Sequence, residues 1–238
     1  MLLQAALAHI GRRGVTVLDV APHVQIRRLL RARAGVRYVG IDRFEARAVD
    51  VWSDLTRLPF KSDAFDLIVC YHVLEHVPDD AAAIAELRRV LATGGCALVQ
   101  VPFREGRPTD EDPDAPEEER IRRFGQADHV RWYGDDFVDR LGRGGFAVTS
   151  VRPREVLSVE SLQRLSIRPD ELVWLCCRAE DASTLPGLVA GLRHEAVRGV
   201  RRSSGTRAAL LRAVWRRREG LARHARRARR VLSRTLDG

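Results

Sequence analysis

"FDLIVCYHVLEHVPDDAAAIAELRRVLATGGCALVQVP" occupies residues 65–102. Two apolar runs flank a helical pattern. FDLIVCYH (65–72) and CALVQVP (96–102) predict buried strands, and DDAAAIAELRRVLATGG (79–95) predicts a helix between them. Acids open that helix, Arg88 and Arg89 close it, and Gly94-Gly95 supply a stop, as the dipole and C-cap preferences require.

The same alternation continues on both sides. Upstream, VTVLDV (15–20), VRYVGID (36–42) and the shorter ARAVDVWS (46–53) predict strands, with a helix in HVQIRRLLRARAG (23–35). Downstream, DDFVDRLGRGG (135–145) predicts a short helix, and FAVTSVRP (146–153) and ELVWLCCR (171–178) two more strands. Alternating β and α units imply an α/β fold, a mainly parallel sheet with helices on both faces. Such sheets bind ligands beyond the carboxyl ends of their strands, where the strand order switches. That points to Asp19 to His23, Asp42, Ser53 to Leu55, Tyr71, His72 and Pro102 onward.

The periodicity stops over 104–120, a polar stretch with three prolines. A long insertion of this kind is either disordered or a functional lid. Its acidic run, Asp110 to Asp114, lacks the glycine and terminal glutamate of an EF-hand loop and reads as solvated. FGQADHVRWYG (124–134) follows, too polar for a core strand.

Four cysteines, Cys70, Cys96, Cys176 and Cys177, form no CxxC pair, so they suggest buried reduced thiols, with no zinc site indicated. The N-terminal MLLQAALAHIGRRG is too short in apolar residues for a membrane span and lacks signal-peptide features, which leads to the expectation of a cytoplasmic protein. Residues 1–178 hold 26 Lys or Arg against 27 acids; residues 179–238 hold 15 Arg against 5 acids. The basic charge thus belongs to the tail.

Acids at the ends of the first two strands, Asp54 after the third, and the runs VLDVAPH, YVGID, SDLTRLPFKSDAFDLIVCYHVLEHVPDD and ELRRVLATGGCALVQVP carry a resemblance. Over roughly residues 15–178 the chain resembles the class I S-adenosylmethionine-dependent methyltransferases, and within them a subgroup with an FGQ-DHVR-YG element. The resemblance implies a Rossmann-like seven-stranded sheet with the last strand antiparallel, in a domain over 1–180. Residues 181–238 are then a basic, largely helical extension. It implies S-adenosylmethionine as cofactor. Asp42 would accept from the ribose hydroxyls and Asp54 from the adenine amine, with the Leu55 amide near the ring. Asp19 and the turn after it would hold the methionine end. Tyr71 and His72 would face the sulfonium and the acceptor.

One turn departs from the family pattern. The usual glycine-rich loop after the first strand is here Ala21-Pro22-His23. Alanine has a Cβ, and proline has no N–H to offer. His23 either contacts the methionine carboxylate or begins the next helix, whose N-terminal amides already suit an anion.

Methyl transfer from a sulfonium needs alignment above all, and a base only where the acceptor must lose a proton. His72 and His129 are the candidate bases, with His129 alternatively a polar clasp. His76 and Glu75 suggest loop-holding roles. Arg131 and Tyr133 are candidate acceptor-binding residues, while Trp132 suggests packing against the following helix. The acceptor would be a small molecule or a glycan or lipid-linked sugar, methylated on oxygen or nitrogen.

From Thr206 to Leu236, apolar residues recur at helical spacing among arginines. Residues 206–238 would contact an anionic inner-membrane surface, dock to nucleic acid or an acidic partner, or stay solvated. An RNA methyltransferase using this tail is a competing enzyme class, opposed by the near-neutral main domain. A non-catalytic methyltransferase-like scaffold is the competing non-enzyme.

Overall fold

The computed structural model describes residues 2–10, 14–44, 49–157, 159–165 and 168–191. The basic segment 206–238, with every reading given to it above, lies outside the described residues. In chain order the strands are β1 (Val15–Val20), β2 (Val36–Asp42), β3 (Val51–Trp52), β4 (Phe65–Tyr71), β5 (Leu91–Gln100), β6 (Asp110–Glu111), β7 (Arg131–Trp132), β8 (Phe146–Val151) and β9 (Val173–Arg178). The helices are α1 (Leu2–Ile10), α2 (Val24–Arg31), α3 (Asp80–Val90), α4 (Glu117–Phe124), α5 (Phe137–Arg143), α6 (Pro153–Val156) and α7 (Val159–Leu165).

Seven strands form one sheet in the order β3-β2-β1-β4-β5-β9-β8. β9 runs antiparallel to both its neighbours; the other pairings are parallel. The order reverses between β1 and β4, which makes their carboxyl ends the switch point. Side chains along each strand alternate between two cores. Leu18, Val20, Ile68, Cys70, Ala97 and Val99 face α3 and α5. Val15, Val17, Leu67, Val69, Cys96 and Leu98 face α1 and α2.

Three details differ from expectation. α1 forms where no helix was expected, because Leu3, Ala6, Leu7 and Ile10 recur at helical spacing and are buried against the sheet. A helical segment over 185–191 buries Leu185 and Leu188 on the same face, so the boundary drawn at 180 falls inside this layer. α3 ends at Val90 rather than at the glycines, because Leu91 already pairs with Phe65. Gly95 instead permits close strand approach: a Cβ there would stand 2.7 Å from the Asp66 carbonyl oxygen. Of the two readings given to 104–120, disorder is not observed: the segment holds β6 and the start of α4. β6 pairs with β7, and Arg123 on α4 binds Asp112 at 2.9 Å and also Asp110. Asp110 and Asp112 thus have their counter-charge in the next helix. Among the described residues, no helix is long and apolar enough to cross a membrane.

Candidate active site

Two recesses open at the switch point, and His72 lines both. The first is a narrow cleft of about 10 Å³ between the ends of β1 and β4, bordered by Asp19, Ala21, His23, Tyr71 and His72. Ala21 and His72 both sit in the left-handed region, at φ +49° and +55°. Such conformations are costly for residues with a Cβ and persist where the surroundings impose them. The Ala21 amide donates to the Ile41 carbonyl at 2.7 Å, which pins the turn across to β2. His23 starts α2: its Nδ1 accepts from the Gln25 amide at 3.3 Å. The helix-starting role expected of it is therefore observed, and its ring still borders the cleft. Tyr38 donates to Asp19 Oδ2 at 3.0 Å; burial, then the Asp19 charge, push the phenol far above its usual range. Gly40 makes room for this corner, since a Cβ there would meet the Tyr38 hydroxyl at 2.8 Å.

Asp42 ends β2 and Asp54 follows β3, on the same carboxyl edge of the sheet. Asp42 Oδ1 accepts from the Phe44 amide at 2.7 Å. Asp54 Oδ1 accepts from the Thr56 amide and hydroxyl, and Oδ2 pairs with Arg43 at 2.8 Å. The Thr56 amide leads in holding the Asp54 carboxyl below its usual range. The Leu55 side chain is buried in the core beside them.

The second recess is a cavity of about 420 Å³. His72, Glu75, His76, Phe103, His129 and Trp132 line it, and residues 168–172 close the far side. Glu75 is 1% exposed, and neither carboxylate oxygen receives an aligned hydrogen bond. His72 Nδ1 stands 3.3 Å from Glu75 Oε1 and His76 Nε2 4.0 Å from it. Burial alone would raise the Glu75 pKa; the surrounding imidazoles outweigh it and hold the carboxyl below its usual range. Burial likewise opposes charge on His76, but the Asp128 hydrogen bond and the Glu75 charge raise it. Burial pushes the His129 imidazole down to about 4, so it is neutral near pH 7. His129 Nδ1 lies 3.2 Å from the Phe124 carbonyl, and its ring meets that of His76 edge-on at 4.6 Å.

Arg131 and Tyr133, expected on the acceptor wall, lie instead beneath it. Arg131 is 1% exposed. Its guanidinium donates to the carbonyls of Leu74 at 2.8 Å, Pro78 at 2.7 Å and Val77, and to Glu111 at 3.0 Å. Tyr133 is fully buried and donates to Asp80 at 2.8 Å. Their polar atoms are spent on the turn over Leu74–His76 and the start of α3, so neither is presented to a ligand. Trp132, expected to pack a helix, lines the cavity with the Arg104 guanidinium 4.1 Å above its ring. Gly134 completes the clasp, because a Cβ there would overlap the Arg107 carbonyl oxygen at 2.0 Å.

The structure adds Glu75, His76 and Trp132 to the site, and it brings Phe103 from the stretch expected after Pro102. The i, i+3, i+4 spacing of His72, Glu75 and His76 was the available signal for the first two. Trp132 and the 168–172 wall arrive by tertiary folding alone. Among the described residues, Glu75, His76 and His129 each offer a ligand atom within 4.8 Å of the others. The expectation of no metal rested on cysteine and EF-hand patterns and did not weigh this group.

Residues 3–99 match the family model described as a methyltransferase domain. The chain is 35% identical over 91 residues to 2-methyl-6-phytyl-1,4-hydroquinone methyltransferase 1, chloroplastic, of Oryza sativa subsp. japonica, covering 38% of this chain and 24% of that one. It is 33% identical over 94 residues to a demethylmenaquinone methyltransferase of Mycobacterium marinum, covering 36% of this chain and 41% of that one. The chain thus spans well under half the length of these curated relatives. A solved S-adenosylmethionine dependent methyltransferase from Mesorhizobium loti superposes with a TM-score of 0.52 at 17% identity, over 75% of this chain and 98% of that one, a likeness of fold.

Proposed function

We propose that this chain is a class I S-adenosylmethionine-dependent methyltransferase acting on oxygen or nitrogen of a small acceptor. One observation carries the reading: His72 lines both a cleft at the β1–β4 switch point and the adjoining 420 Å³ cavity. A donor site beside an acceptor site is what group transfer requires. The methyltransferase-domain match over residues 3–99 supports the donor half independently.

The residues present fit the cofactor. The cleft is too narrow, at about 10 Å³, to hold a nucleoside. The nucleoside would therefore lie along the sheet edge, with Asp42 accepting from the ribose and Asp54, beside the Leu55 amide, from the adenine. Asp19, Ala21, Pro22, His23 and Tyr71 would hold the methionine end. When bound, S-adenosylmethionine supplies a methyl group already activated by its sulfonium. His72 would orient the acceptor and receive its proton at Nε2, because Nδ1 faces Glu75. His129, Trp132 and Phe103 would wall the acceptor and exclude water. These flat faces favour a ring, whether free or as the sugar of a glycan or lipid-linked intermediate. The quinone-methylating relatives support the free small molecule.

The experiment is transfer of labelled methyl from S-adenosylmethionine into a cell extract, fractionated as small molecule, lipid, protein and RNA. Label in the small-molecule or lipid fraction supports the reading. Label in RNA alone, or none in any fraction, rejects it.

A further inference from the structure

We propose that Glu75, His76 and His129 form a binding site for one divalent transition-metal ion of the zinc class, in the wall of the larger cavity. The ligand atoms are Nε2 of each imidazole and a Glu75 carboxylate oxygen. Two imidazoles and one carboxylate form a donor set suited to such ions, with further coordination positions left open.

The orientation of both rings supports this assignment. A metal-bound histidine almost always gives its other N–H to a carboxylate or a backbone carbonyl. His129 Nδ1 lies 3.2 Å from the Phe124 carbonyl oxygen. His76 Nδ1 lies 3.2 Å from both the carbonyl and the Oδ2 of Asp128. Each ring is therefore held by Nδ1, and Nε2 is left for a ligand. His76 Nε2 and Glu75 Oε1 are 4.0 Å apart.

Glu75 supplies the independent observation. It is 1% exposed, yet neither oxygen receives an aligned hydrogen bond. The His72 Nδ1 contact at 3.3 Å reaches one oxygen only, and a buried carboxylate so poorly supplied with donors is stabilised by a cation. Bonds of about 2.0–2.2 Å place neighbouring ligand atoms about 3.3–3.6 Å apart around a tetrahedral ion. One ligand atom from each of the three residues lies within 4.8 Å of the others, so closing on an ion takes side-chain adjustments of about an ångström. The cavity borders all three residues and can supply a water or an acceptor atom to an open position.

The site stands apart from the methyl-transfer reading, because its test measures metal alone. Tag-free full-length protein is stripped with chelator and titrated with Zn²⁺ by calorimetry and with Co²⁺ by visible absorption. The wild type takes up one Co²⁺ with the intense visible bands of a four- or five-coordinate ion. Glu75→Gln and His129→Gln each lose those bands, and Asp128→Asn, outside the ligand set, binds about tenfold more weakly. Circular dichroism of each variant before titration establishes that it is folded. Should one ligand variant fail to fold, the other serves alone. A wild type that binds no Co²⁺ or Zn²⁺, or ligand variants that bind as it does, overturns the site.

Discussion

The two recesses meet at His72 but are built in opposite ways. The cleft is made by backbone: the ends of adjacent strands, a left-handed alanine and the start of α2. The cavity is made by side chains that reach across the chain, as where Arg131 holds the carbonyls of Leu74 and Pro78 more than fifty residues away. Val130 adds a backbone link to Glu75 at 2.9 Å. A backbone site survives the loss of single side chains, whereas a clasped site fails when its clasp is cut.

Arg131→Ala tests that contrast most severely. It strips the Val77 and Pro78 carbonyls of their guanidinium donor, while Glu111 keeps Arg140 and the Leu74 carbonyl keeps the Tyr133 hydroxyl, and should lower unfolding free energy by about 2–4 kcal/mol. Urea denaturation measures the loss. Arg131→Lys should recover only part of it, because an ammonium cannot reproduce the planar fork. An Arg131→Ala protein of wild-type stability would break the distinction between the two recesses.

His72→Ala should lower kcat about 10²-fold with the cofactor affinity little changed, since its ring supports Glu75 in the acceptor cavity and serves the acceptor rather than the nucleoside. Steady-state kinetics beside calorimetry separates the two quantities. Equal losses in both would move His72 into the cofactor half.

These two residues also show what could be read from sequence. His72 was legible because it follows β4, and position after a strand locates a residue on the ligand edge whatever surrounds it. Asp19, Asp42 and Asp54 were legible for the same reason. Arg131 and Tyr133 were misassigned because sequence gives no direction to a side chain in a loop, and theirs point down onto the Leu74–His76 turn. Trp132, between them, points the other way, as alternation in an extended segment requires. Five of the seven sheet strands were found close to their observed bounds. The early start of β5 was hidden by helix-forming residues that become strand through pairing with Phe65.

A smaller effect concerns pH. Burial would raise the Asp136 pKa, but the Thr109 and Arg140 hydrogen bonds bring it down to about 2. Its unfolded value is about 3.9. A depressed carboxyl stabilises the fold above the unfolded pKa, and that contribution is lost as pH falls through the folded one. Asp136→Asn should therefore cost about 1 kcal/mol near neutral pH, after allowance for solvent screening, with the gap to wild type closing between about pH 4 and pH 2. Denaturant midpoints across that range test the sign. The smallest effect belongs to the cleft: Ala21→Gly removes a Cβ from a left-handed backbone and should stabilise by about 1 kcal/mol or less. A destabilised Ala21→Gly would mean that the methyl group packs usefully there.

Whether the sheet edge is a donor site is decided by titration calorimetry of the full chain with S-adenosylmethionine and S-adenosylhomocysteine. One site per chain is expected for both ligands, weakened about tenfold or more by Asp42→Ala through loss of a charged hydrogen-bond acceptor. No binding by the wild type, or binding that Asp42→Ala leaves intact, would contradict a donor site there.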